Sequence, residues 1–342
     1  MWFCFTQLIR LPTFVAVMFA AIGTSSAATL DAVTSRGQLV CGVSADLPGF
    51  ATEDRYGAWS GIDVEFCRAV ATAVLGDPSK VRFEALTAAE GFRSLQSGMV
   101  DLLARGTAWT LSRDTEFKVR FVDVLVYDGQ GFMVPRNHGV ASILELSGAS
   151  ICVVSDTRAA DTAATYFGRQ RMRAQFVTSE KWQDLVAAYA SGGCTALTGE
   201  LTMLADVRRT LADPTEHTLL PELISKEPIG PAVRIGDERW FSIVRWVLMA
   251  LIEAEELDVS SANVSSKLDS PIEDVRRLLG VRSDLGVSLG LTADWARNVI
   301  AKVGNYGEIY DRTLGLKSPL QLPRGPNNLW TRGGLMYAVP LR

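Results

Sequence analysis

Short apolar runs alternate with amphipathic segments along most of the chain after residue 38. Apolar runs bounded by turn-forming residues are typical of buried strands, and apolar positions three or four residues apart are typical of helices. In the first block, this pattern predicts strands at residues 38–44, 81–85 and 100–104 and helices at 64–75 and 89–97. We expect Asp63 to cap the first of these helices and Gly76 to end it. Strands that alternate with helices indicate an α/β fold with a doubly wound sheet.

The same alternation occurs a second time between residues 151 and 211. The predicted strands lie at 151–155, 176–178 and 194–198, and the predicted helices at 157–167, 181–190 and 201–211. Each block spans about 100 residues, which is an ordinary domain size. The pattern therefore predicts two α/β lobes within one chain.

Two glycine-containing segments, residues 127–131 and 227–231, flank the second block. Glycine can absorb the backbone rotation that a hinge requires, so we expect the chain to cross between the lobes twice. The predicted first lobe comprises residues 29–128 and 230–342 with a C-terminal extension, and the second lobe comprises residues 129–229. After the return, residues 240–252 form a strongly amphipathic helix whose charged residues argue against a membrane span.

Residues 1–28 have the parts of a secretory signal peptide. A weakly basic start that includes Arg10 precedes an apolar core at 11–22, and small residues at 25–28 suit cleavage. The apolar core is shorter than the roughly 18 residues that a membrane anchor needs. The start of the chain therefore predicts export, with cleavage next to Ala28 or Thr29.

Charge and motif content exclude several classes of function. The net charge of −4 indicates neither a nucleic-acid partner nor a polybasic membrane surface. Two isolated histidines do not suggest a metal site, and no phosphate-binding glycine loop indicates a nucleotide cofactor. Residues 286–290 match the nucleophile elbow of serine hydrolases, but both histidines precede Ser288 and that fold needs a later one. We expect no metal and no cofactor.

Four cysteines remain after the predicted signal peptide, and an even number in an exported protein suggests disulfides. Three connectivities are open, and the spacing favours one bridge within each lobe, Cys41 with Cys67 and Cys152 with Cys194. Four free buried thiols are the alternative. Because the chain has no Cys-x-x-Cys pair, a redox motif or zinc ribbon is not indicated.

The segment Arg105–Asp114 follows the strand at 100–104 and carries the most distinctive chemistry of the chain. A guanidinium such as that of Arg113 presents a rigid fork that matches a carboxylate. Thr107 and Thr110 add hydroxyls, and Trp109 adds an aromatic wall. Ligands of doubly wound sheets bind beyond the carboxyl ends of the strands, where this segment lies. The alternative is a polar surface loop in which Arg113 pairs with a neighbouring acidic residue, Asp114 or Glu116.

Many motifs of the chain resemble those of the periplasmic solute-binding proteins of polar amino-acid ABC importers, in particular the general L-amino-acid-binding subgroup. The matching runs are Leu39–Val43, Leu47–Phe50, Phe66–Val70, Gly76–Lys80, Leu95–Gly98, Trp109–Asp114, Tyr127–Pro135, Ile224–Arg234, Ala250–Glu256, Val303–Glu308 and Leu329–Leu335. They cover almost the whole chain after the predicted signal peptide.

The resemblance implies a two-lobed periplasmic-binding-protein type II fold that closes over an amino acid or related carboxylate. It also implies a periplasmic monomer that is not an enzyme and delivers its ligand to ABC permease subunits in the inner membrane.

The resemblance further implies roles for individual residues. Arg113 would bind the α-carboxylate, assisted by the hydroxyl of Thr107 and amides near Thr157. Glu200 stands where an acidic residue, usually aspartate, binds the α-ammonium. Phe50 and Trp109 would line the pocket.

The main departures from the family pattern lie in the second lobe, where Asp156 and Arg158 replace a glycine and a threonine. Either these two residues pair with each other, or Arg158 faces the ligand and binds a second anionic group. The latter would suit an acidic amino acid or a dicarboxylate. Two rival functions stay open: a dehydratase-like enzyme that uses Glu200 or Asp156 as acid or base, and a module that presents ligand to a membrane sensor.

Overall fold

Two five-stranded sheets, each flanked by helices, form the framework of the protein. The computed structural model describes residues 1–2, 28–282 and 284–342. The predicted signal peptide therefore lies almost entirely outside the described residues. The strands are β1 Leu39–Val43, β2 Asp46–Leu47, β3 Ala51–Glu53, β4 Trp59–Ser60, β5 Val81–Ala85, β6 Leu102–Leu103, β7 Val119–Phe121, β8 Val126–Asp128, β9 Gln130–Pro135, β10 Ser150–Val154, β11 Gln175–Ser179, β12 Ala196–Glu200, β13 His217–Leu219, β14 Glu227–Ile229 and β15 Ala232–Arg234.

Helix α1 precedes the first strand, and the other α-helices lie between strands or, beyond residue 237, in a helical C-terminal region. They are α1 Thr29–Arg36, α2 Ile62–Leu75, α3 Ala88–Ser97, α4 Leu111–Glu116, α5 Arg158–Arg169, α6 Trp182–Ala190, α7 Leu201–Thr210, α8 Glu238–Glu256, α9 Glu273–Leu278, α10 Leu285–Leu289, α11 Trp295–Val303 and α12 Tyr306–Thr313. In the part of the chain that the structure covers, no helix is both long and apolar enough to cross a membrane.

The two sheets have the same arrangement. The first has the order β5-β1-β6-β15-β7 and the second the order β11-β10-β12-β9-β13. Three neighbouring strands are parallel in each sheet, and the fourth, β15 or β9, runs antiparallel to them. Every residue of β1 is buried, as expected for a strand that is covered on both faces. The predicted α/β fold in two lobes is confirmed.

Two short strands connect the sheets. β8 and β14 pair in antiparallel fashion, with Asp128 opposite Glu227 and Val126 opposite Ile229. The chain passes from β8 into β9 of the second sheet and from β14 into β15 of the first sheet. Both glycine-containing segments of the sequence are therefore at this connection, while the lobe boundaries at 128–129 and 229–230 stay a prediction.

The C-terminal region packs on the first lobe and also contacts the hinge and the second lobe. The side-chain amide of Asn327 accepts a hydrogen bond from the backbone N–H of Tyr127 at 2.7 Å and donates one to its carbonyl oxygen at 2.9 Å. Arg208 of α7 donates to the carbonyl oxygen of Leu320 at 2.7 Å. The hydrophobic pattern of the sequence did not predict helices α9 to α12, because each of them is short, with at most 9 residues.

One predicted helix cap is wrong. Helix α2 begins at Ile62 with Gly61 as its N-cap residue, and no side chain caps it. Asp63 lies inside the first turn, where its carboxylate accepts a hydrogen bond from the backbone N–H of Gly106 at 2.7 Å. A tertiary contact over 43 residues has replaced the local capping contact.

The expected disulfides are present, with Cys41 bonded to Cys67 and Cys152 to Cys194. Each bridge joins elements of the same lobe: β1 to α2, and β10 to the residues just before β12. Neither bridge restricts movement of one lobe relative to the other.

Removing either disulfide is expected to lower the free energy of unfolding by about 3.5–4 kcal/mol, because each closes a loop of 26 or 42 residues in the unfolded chain. The test is urea denaturation of the Cys152→Ser, Cys194→Ser double variant and of the equivalent variant at Cys41 and Cys67. An unchanged denaturation midpoint would contradict this expectation. Ligand affinity serves as the control, since neither bridge contributes to the cleft described below.

Candidate functional site

A polar cleft of about 310 Å³ lies between the lobes, next to the hinge strands. Its lining comes from three parts of the chain: the segment after β6, the ends of β12 and α5 in the second lobe, and β14. The lining residues are Gly106, Ala108, Thr110, Ser112, Arg113, Arg158, Glu200, Glu227 and Ile229. The carboxyl ends of parallel strands from both sheets meet here, which is where doubly wound proteins bind ligands.

The segment after β6 is held against the hinge by backbone hydrogen bonds. The N–H of Trp109 donates to the carbonyl oxygen of Pro228 at 2.7 Å, and the N–H of Gly230 donates to that of Thr107 at 3.2 Å. These bonds add a short third segment to the antiparallel pair of β8 and β14. These bonds therefore attach the segment that carries Arg113 to the strands that connect the two lobes.

Arg113 lies in the first turn of α4, a short helix capped by Thr110. The Thr110 hydroxyl accepts a hydrogen bond from the Arg113 backbone N–H at 3.4 Å, and the guanidinium donates to the carbonyl oxygen of Ala108 at 2.6 Å. The guanidinium is half-buried, lines the cleft and forms no ion pair with Asp114 or Glu116. The surface-pair alternative for Arg113 is thus not what the structure contains.

Asp63 holds the segment after β6 in place, because its buried side chain forms a hydrogen bond with Gly106. Its side chain is fully buried, and it accepts the backbone N–H of Gly106, which has φ +64° and lines the cleft. Burial raises the pKa of Asp63 to about 7, while the Gly106 N–H and the positive charge of Arg105 act in the opposite direction. A buried carboxylate with one backbone partner is costly, and its pKa reflects that cost.

Glu200 ends β12 and precedes α7, which places its carboxylate at the cleft. The side chain reaches solvent, yet the protein around it desolvates the carboxylate and raises its pKa. The negative charges of Asp128 and Glu227 raise this pKa further, and Arg158 and Arg113 lower it. A bound ammonium group would stabilise the ionised form of Glu200, so this position suits a cation.

Arg158 begins α5, directly after its N-cap residue Thr157, whose hydroxyl accepts from the N–H of Ala160 at 3.3 Å. The Arg158 guanidinium forms a hydrogen-bonded ion pair with Glu227 of β14. Asp156 is exposed in the left-handed conformation, φ +54°, and does not pair with Arg158. Aspartate tolerates this conformation better than most residues, which explains how it can stand where the resemblance implies a glycine.

The structure does not bring every predicted residue to the cleft. Phe50 is 1% exposed and belongs to the hydrophobic core of the first lobe. Thr107 is buried, and its hydroxyl accepts a hydrogen bond from Arg105 at 3.4 Å. Trp109 stacks on Phe121 with ring centroids 5.9 Å apart and is partly exposed. Thr107 and Trp109 therefore act on the shape of the segment through their backbone and packing contacts.

Two polar side chains at the cleft, those of Glu227 and Ser112, were not predicted from the sequence. The sequence pattern assigns Glu227 only to a hinge segment. In the structure it lies opposite Asp128 in the antiparallel pair of β14 and β8. Ser112 lines the cleft from the first turn of α4 but lacks any distinctive pattern. Among the residues that the structure describes, no group of three or more His, Cys, Asp or Glu side chains could share a metal ion.

Comparisons with known proteins agree with this architecture. Residues 39–263 match the family model described as bacterial extracellular solute-binding proteins, family 3. The general L-amino acid-binding periplasmic protein AapJ of Rhizobium johnstonii is 49% identical over 96% of this chain and 96% of its own length. The glutamate/glutamine/aspartate/asparagine-binding protein BztA of Rhodobacter capsulatus is 45% identical over 96% of this chain and 97% of its own length.

A solved structure extends the likeness to three dimensions. It is described as an ABC transporter/periplasmic binding protein from Brucella ovis with glutathione bound, and it aligns with a TM-score of 0.78 at 48% identity. The alignment covers 93% of this chain and 100% of that chain. The similarity therefore includes both lobes and the C-terminal region.

Proposed function

The chain belongs to family 3 of the bacterial extracellular solute-binding proteins, and we propose that it is the substrate-binding component of an amino-acid ABC importer. It binds an L-amino acid or a related carboxylate between its lobes and delivers it to the membrane permease. The observation that carries this proposal is the presence of Arg113 from the first lobe and Glu200 from the second in one polar cleft at the hinge.

The proposed ligand is held at its two backbone charges. Arg113 binds the α-carboxylate through two parallel N–H donors, with the hydroxyls of Thr110 and Ser112 nearby. Glu200 binds the α-ammonium, which stabilises a carboxylate that its surroundings otherwise disfavour. The N-terminus of α5, next to Thr157, adds the positive end of a helix dipole. Because the two charges lie on different lobes, a ligand that contacts both favours closure.

The location and partners follow from the same proposal. We propose that a signal peptide is cleaved next to Ala28 or Thr29 and that the mature chain acts in the periplasm as a monomer. The bound ligand would be released to the permease unchanged, since the family relatives reported above are described as binding proteins. N-terminal sequencing of the exported protein and recovery of intact ligand after incubation test these two points.

The decisive experiment is calorimetric titration of the exported chain with a panel of ligands. The panel contains glutamine, asparagine, glutamate, aspartate, a neutral aliphatic amino acid and glutathione, the last because the Brucella ovis structure is described with it bound. We expect one ligand site per chain for at least one amino acid. Absence of binding to every member would contradict the proposed function.

A further inference from the structure

Four charged side chains line the cleft, and two of them already form a pair. If Arg113 and Glu200 bind the backbone charges of an amino acid, as proposed above, the charged side chains of the lining that remain for the ligand side chain are Arg158 and Glu227. These two residues are joined by a hydrogen-bonded ion pair that links the start of α5 to the hinge strand β14. The chemistry available to the ligand side chain is therefore that of a paired guanidinium and carboxylate.

The two members of this pair differ strongly in exposure. The Glu227 side chain is 9% exposed and the Arg158 side chain 71% exposed. The backbone of Glu227 is paired with Asp128 between β14 and β8, which places the largely buried carboxylate next to the cleft. A ligand group that drew Arg158 away would leave Glu227 as a largely buried charge without its counter-ion, which is strongly unfavourable. A second anionic group of a ligand would therefore have to compete with Glu227 for Arg158.

We infer that the Arg158–Glu227 pair selects ligands with a side-chain carboxamide over those with a side-chain carboxylate; this inference rests on the proposed function. The exposed N–H groups of Arg158 can donate to the carbonyl oxygen of an amide, and the oxygens of Glu227 can accept from its NH₂ group. A carboxylate only accepts hydrogen bonds, so it can satisfy Arg158 but not Glu227.

The charges around the pair point in the same direction. The lining of the cleft contributes two positive and two negative side chains, which balances a zwitterion with a neutral side chain. Asp128 adds a further carboxyl group next to Glu200, and Glu227 also lies close enough to raise the Glu200 pKa. An additional carboxylate on the ligand would enter a region that already holds several acidic groups, and like charges repel each other.

The test compares glutamine with glutamate, and asparagine with aspartate, by calorimetry on the wild-type chain and on Glu227→Gln. We expect the wild type to bind each amide at least about 10-fold more tightly than its acid. In Glu227→Gln the negative charge is removed and Arg158 is released, so this ratio should fall by about 10-fold. Glu238→Gln is the matched control, because it removes an ion-paired carboxylate of α8 that does not line the cleft.

Two outcomes of this comparison overturn the inference. One is a wild-type chain that binds glutamate or aspartate as tightly as the amide, which would mean that Arg158 binds a second anionic group. The other is an amide-to-acid ratio that Glu227→Gln leaves unchanged. Both leave the proposed function standing, since an amino acid still binds. A chain that binds none of the four ligands but does bind the neutral aliphatic amino acid or glutathione overturns the inference alone, and a chain that binds no member of the panel refutes the proposed function as well. The wild-type ratio keeps the inference testable even if Glu227→Gln does not fold.

Discussion

Replacing Arg113 by alanine is expected to weaken amino-acid binding by about 30-fold to several thousand-fold while leaving the fold intact. The guanidinium lines the cleft, and its intramolecular hydrogen bond reaches only the carbonyl oxygen of Ala108. Removing one partner of a desolvated charge pair typically costs about 2–5 kcal/mol, and each 1.4 kcal/mol is a factor of ten in affinity. Arg113→Lys should lose part of this affinity, because an ammonium cannot make the two parallel hydrogen bonds.

Calorimetry gives the affinity in this experiment, and thermal unfolding reports whether the variant is folded. Arg120→Ala is the matched control, since Arg120 is an arginine of the same lobe that pairs with Glu238 outside the cleft. We expect its affinity to equal that of the wild type. If Arg113→Ala binds the ligand as tightly as the wild type does, Arg113 is not the carboxylate-binding residue.

The framework of the fold was predictable because its signals are local. The central parallel strand β1 is a continuous apolar run, and glycines such as Gly76 mark helix ends in the left-handed conformation. Such features depend on a few neighbouring residues, so one sequence is sufficient to predict them. Arg113 became a candidate through its chemistry and its place after a predicted strand, whereas its carboxylate-binding role follows from the family resemblance and stays a prediction.

The features that were missed depend on contacts between distant residues. The Arg158–Glu227 pair joins positions 69 residues apart, and the Asn327 contact with Tyr127 joins positions 200 apart. Phe50 was expected in the cleft because of the family resemblance, but packing places it in the core. An apolar side chain gains more from complete burial than from partial exposure in a polar cleft, and the sequence alone does not show which is geometrically possible.

The carboxyl group of Asp63 is expected to make the protein less stable as the pH rises from about 4 to about 7. Its pKa is about 7 in the folded chain, against 3.8 for a fully solvated aspartate such as that of the unfolded chain. In this interval the folded state holds more protons than the unfolded state, so the free energy of unfolding falls with rising pH and levels off above the folded pKa. A shift of about three units corresponds to about 4 kcal/mol.

Asp63→Asn isolates this contribution, because an amide oxygen can still accept the Gly106 N–H but does not ionise. We expect the difference in unfolding free energy, wild type minus variant, to fall by about 4 kcal/mol between pH 4 and pH 8 in urea denaturation. Glu253, whose pKa is also raised to about 7 by burial, is present in both proteins and cancels in the difference. A difference that stays constant across this range would show that Asp63 ionises as readily in the folded chain as in the unfolded one. The position of Gly106 would then be supported by a carboxylate that is already charged at pH 4, and the segment that carries Arg113 would not respond to pH.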